Sequence, residues 1–94
     1  MTVKILGNRR QFNKAVAENN ASLLTVGRWY YVDWGAFTTE DVLANLHNTK
    51  TGDLVRVVGF TTGDDALIHV RTEKELSDWL LLKRLTLDDP LEAS

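Results

Sequence analysis

A chain of 94 residues with no cysteine has no disulfide and no thiolate metal site to hold it together. It must fold on the burial of apolar side chains alone. At this length about 64% of the unfolded surface is buried on folding, which supports one core and no second domain. With 44% hydrophobic and 26% charged residues, intrinsic disorder and collagen-like repeats are excluded. Thiol catalysis and the usual zinc finger fall away with the cysteines. The expectation is a single domain over residues 1–88 followed by a flexible acidic tail at 89–94, where Pro90 ends any helix.

The net charge of −2 neither drives nor forbids binding to nucleic acid, but it is unevenly spread. Residues 1–34 are net basic and residues 62–94 net acidic, so the molecule is electrostatically polarised. No run of 18 apolar residues exists, and the N-terminal apolar stretch breaks at Gly7-Asn8. Neither a membrane span nor a secretory signal is expected, and a cytoplasmic setting follows by default.

Hydrophobic spacing orders the elements. Thr2 to Leu6 reads as a strand. Asn8 stands at capping-box distance from Gln11, and Phe12, Ala15 and Val16 make a narrow helical face, so a helix is predicted over 8–19. Residues 22–34 are β-rich, with a bend at Gly27. Acidic Glu40 and Asp41 suit a helix start, and Val42, Leu43 and Leu46 its buried face, over 39–48. Leu54–Phe60 and Ala66–Arg71 read as a hairpin around Gly63-Asp64-Asp65. Thr72 and Glu75 form a second capping-box spacing, and Leu76, Trp79, Leu80 and Lys83 follow at helical intervals. This last stripe predicts a third helix with Trp79 packed between it and the sheet. The order is β-α-β-(β)-α-β-β-α. The predicted fold is an α+β two-layer sandwich, a mixed or antiparallel sheet of four to five strands with three helices.

Chemistry-bearing motifs are sparse. His47 and His69 match no metal motif and read as a surface and a sheet histidine. Asp64 and Asp65 could offer oxygen ligands to a cation, but they lack EF-hand spacing and equally make a solvated turn. No cofactor and no metal are expected. At Asn8, Arg9 and Arg10 two arginines stand at the positive end of a predicted helix, a mildly unfavourable placement. An anion, phosphate or carboxylate, would relieve it, and a solvated first turn explains it as well.

The densest signal is Trp29-Tyr30-Tyr31-Val32-Asp33-Trp34. Alternation sends Trp29 and Tyr31 to one face, Tyr30 and Trp34 to the other. A face joining Trp29 and Tyr31 with Arg56, His69 and Arg71 is a candidate partner-binding surface, since Trp, Tyr and Arg dominate interface hot spots. The same residues can stack unpaired bases, or simply fill a small core and its cross-strand pairs. The reading is a non-enzymatic module that docks a larger protein, as inhibitor or adaptor. A single-stranded nucleic-acid binder and a small enzyme with an unrecognised site are the alternatives, and a homodimer is also open to it.

Overall fold

A computed structural model of the chain describes residues 3–61 and 67–92. Helix α1 runs over Arg9–Glu18. Asn8 caps it by accepting from the Gln11 N–H, and Asn19 ends it in the left-handed conformation at φ 48°, which asparagine tolerates better than most residues. Strand β1 (Trp29–Val32) follows a short 3₁₀ turn at Ala21–Leu23. Helix α2 is only Thr39–Ala44. Strands β2 (Leu54–Phe60), β3 (Ile68–Thr72) and β4 (Ser77–Leu80) come next. A second 3₁₀ turn, Leu82–Arg84, leads into β5 (Leu85–Thr86).

The five strands form one sheet in the order β4-β3-β2-β1-β5, every neighbour antiparallel. The two edge strands are consecutive in the chain. A flat sheet of five strands would hold its edges about 19 Å apart. A 3₁₀ turn rises only about 2 Å per residue, so the sheet has to curl until its edges approach. The core fills the inside of the curl: Tyr30 and Val32, Val55 and Val57, Ile68 and Val70, with Leu80 and Leu85 from the edges. Helix α1 closes one side by placing Phe12 against Tyr30, ring centroids 5.7 Å apart. Gly7 permits this closure, because any Cβ there would fall on the Tyr30 ring.

The α+β class holds, but the two-layer sandwich with three helices does not. The curled antiparallel sheet carries two α-helices among the described residues. The predicted third helix is a hairpin and an edge strand. Thr72 uses its hydroxyl to accept the Lys74 and Leu76 N–H groups, closing a tight turn rather than capping a helix. Glu75 sits in that turn at φ 65°. Burial then falls on Asp78, Leu80 and Leu82, and resumes on Leu85 and Leu87 after the 3₁₀ turn. That is a period of two, interrupted once. Trp79 therefore points outward from β4, 43% exposed, and is not packed under a helix.

Two other predicted strands are reduced. Of 2–6, only Leu6 makes an isolated parallel bridge to Trp29, and Ile5 accepts the Trp29 N–H. Within 22–26 the first residues are 3₁₀. The middle of the predicted hairpin loop, with Asp64 and Asp65, lies outside the described residues. The tail turns back at 89–92, Asp89 accepting the Leu91 N–H. Among the described residues no helix is long and apolar enough to cross a membrane.

Candidate functional site

The curl determines which aromatics face outward. Tyr30 and Trp34 point inward and are buried, whereas Trp29 and Tyr31 lie half-buried on the outer face. Register places Trp29 opposite Arg56, and Arg56 opposite Arg71. His69 lies opposite Trp79, and their rings stack at 4.4 Å with planes 10° apart. The five predicted partner-binding residues thus share one face, Tyr31 standing opposite Leu54 and Thr86. The polar groups of this face are engaged with each other, however. Arg56 pairs with the Glu75 carboxylate at 3.3 Å, Arg71 donates to the Glu75 carbonyl, and His69 Nε2 lies 3.2 Å from the Ser77 hydroxyl.

The predicted anion site at the start of α1 already has its carboxylate. Arg9 makes a bidentate pair with Asp88, at 2.8 and 3.1 Å. The hydrogen bonds first, and the positive charge second, hold Asp88 below the usual carboxylate range. Asn8 spends its side chain on the cap. The Arg9 charge is thus met within the chain, while Arg10 is exposed and makes no ion pair among the described residues.

A second site, absent from the sequence reading, lies where the segment 33–48 packs across β4 and the second 3₁₀ turn. It begins with the early end of α2. Asn45 Nδ2 donates to the Asp41 carbonyl, and Leu46 adopts φ 64°. The Leu46 and His47 N–H groups bond back to the Leu43 and Val42 carbonyls, the paired bonds of a helix stop usually made by glycine. A left-handed leucine costs about 1–2 kcal/mol. Its effect is to turn His47, Asn48 and Thr49 toward β4.

Asp78 receives them there. Its carboxylate, 5% exposed, accepts from His47 Nδ1 at 2.8 Å, the Asn48 N–H at 3.1 Å and the Thr49 hydroxyl at 2.8 Å. Thr49 in turn accepts the Trp34 indole N–H at 3.1 Å, and the Trp34 and His47 rings pack at 4.4 Å. A carboxylate only accepts, so the proton of this contact sits on His47 Nδ1. The buried acid is thereby satisfied, as buried polar groups must be.

This network holds open a cleft of about 670 Å³. Trp34, Val42 and Leu80 are its buried apolar lining, while Phe37 and Trp79 stand exposed around it. Arg84 packs its guanidinium 5.5 Å from the Trp34 ring centroid and 5.0 Å from that of Phe37. Of the described residues lining the cleft, none is Ser, Thr or Cys. The geometry gives His47 a positioning role, tying the arm that carries α2 to β4. Among the described residues no cluster of three metal-ligating side chains occurs. Compared with protein-family models, curated proteins and solved structures, the chain matches none.

Proposed function

We propose that the protein is a non-enzymatic docking module that takes a segment of a larger protein into the cleft between the α2 arm and β4, acting as an adaptor or inhibitor. One observation carries this reading. Two exposed aromatic side chains, Phe37 at 54% and Trp79 at 43%, flank a concave apolar lining whose Trp34 is fixed by hydrogen bonds at both its indole and its backbone N–H. Rigid aromatic anchors around a concavity are what interface hot spots are made of. A cytoplasmic setting belongs to this reading, and a second copy of the chain is the competing occupant.

A second reading, single-stranded nucleic acid on the outer face, is favoured by the cross-strand row Trp29–Arg56–Arg71 and the stacked His69 and Trp79. It is weakened by Glu75, which engages both arginines.

Pull-down from native lysate with the wild type and single variants tests the first reading. Phe37→Ala and Trp79→Ala should each weaken binding by about 2 kcal/mol or more. Neither should cost the fold more than about 1 kcal/mol in urea, since both rings are substantially exposed. Arg56→Ala should retain the captured protein. Capture that survives both aromatic truncations and is lost with Arg56→Ala would move the function to the outer face.

A further inference from the structure

We infer that the segment entering the cleft is acidic: an extended stretch of a partner protein that brings an aspartate or glutamate to Arg84. The inference rests on the docking reading and adds the chemistry of the occupant. Arg84 is the reason. It is half-buried, and its guanidinium is held between two aromatic rings. Its backbone groups are spent inside the fold, N–H on the Leu81 carbonyl and carbonyl on the Asp33 N–H. The side chain, with five donors in a planar fork, makes no hydrogen bond or ion pair among the described residues, unlike Arg9 and Arg56. A half-buried guanidinium oriented by two rings and without an acceptor matches one chemical group best, a carboxylate bound bidentately.

The surroundings agree. Lys83 stands exposed beside Arg84 and also makes no ion pair among the described residues. Asp41, the acid of the lining, is engaged with the Thr38 N–H in the cap of α2. Asp41 keeps its charge in that cap, so the lining sets two cations, Lys83 and Arg84, against one carboxylate. Two lining cations can pair with one or two carboxylates but offer too few phosphate contacts to hold a nucleic-acid strand. An acidic peptide is favoured over nucleic acid.

The test is selection from a library of random displayed peptides on the full chain, followed by polarisation titration of the enriched peptides after synthesis and labelling. Enrichment of Asp or Glu next to apolar residues is expected. Arg84→Glu should weaken these peptides at least about thirtyfold and should itself enrich basic ones. Arg84→Gln, with near-UV circular dichroism as a check on packing, separates loss of charge from loss of fold. Neutral or basic peptides that perturb Trp34 yet ignore Arg84→Gln would overturn the acidic occupant and leave the docking reading standing. Peptides that perturb Trp29 and not Trp34, or no enrichment over a protein-free control, would overturn both. Salt-steep binding of oligo-dT at Trp34 would replace the peptide by nucleic acid.

Discussion

Replacing Asp78 by alanine is expected to remove about 3–5 kcal/mol of stability, the cost of breaking a buried charged hydrogen-bond network from one side. The substitution leaves the His47 Nδ1–H, the Asn48 N–H and the Thr49 hydroxyl facing a void, and Thr49 is itself buried. A donor left without an acceptor costs about 1–3 kcal/mol, so the estimate does not need all three to stay dry. For a domain this small, melting should fall by about 12 °C or more. Asp78→Asn keeps one acceptor oxygen and should lose less. Urea denaturation followed by tryptophan fluorescence measures both. A loss below about 1 kcal/mol for the alanine variant would mean that the network neither anchors the α2 arm nor holds the cleft open.

Tyr30 should show the opposite asymmetry between its ring and its hydroxyl. The ring is wholly buried against Phe12 and under Gly7, so Tyr30→Ala should cost about 3–5 kcal/mol. The hydroxyl is buried with no hydrogen-bond partner among the described residues. Tyr30→Phe should therefore keep or raise stability, by up to about 1 kcal/mol. Burial also pushes the phenol above its ordinary range, with Arg28 opposing it weakly. The folded state thus binds this proton more tightly than the unfolded state. Its contribution is complete below the ordinary tyrosine range and is lost as pH rises through and beyond it. Alkaline unfolding should accordingly be delayed in Tyr30→Phe. A phenylalanine variant less stable by more than about 1 kcal/mol would show that the hydroxyl is satisfied after all.

Helix α1 could be read from the chain because its boundaries are chemical: Asn8 at one end, Asn19 at the other, and three apolar residues at helical spacing between them. The strands around Trp29–Val32, Leu54–Phe60 and Ile68–Thr72 were legible from alternation. Residues 72–87 were not, because Thr72, Glu75 and a leucine-rich run satisfy a helical pattern as well as a strand pattern. The arbiter is Asp78, polar yet buried because three donors from 47–49 converge on it. Propensity gave way to tertiary structure there.

The same residue explains why one surface was foreseen and the other missed. The outer face needs only a period of two, and Trp29, Tyr31, Arg56, His69 and Arg71 do share it. The cleft joins Trp34 and Phe37 to Trp79 and Arg84, which become neighbours only once the sheet curls and β4 meets the α2 arm. Nothing in the sequence around Arg84 marks it beyond its charge.

The central claim, that the cleft and not the outer face receives the partner, is tested most directly by the three indole N–H signals in a nitrogen–proton correlation spectrum. Trp34 lines the cleft, Trp29 lies on the outer face, and Trp79 touches both regions. On titration with the protein captured by pull-down, the Trp34 and Trp79 signals should shift while Trp29 stays fixed. Movement of Trp29 with Trp34 unchanged would contradict the account and place binding on the outer sheet face.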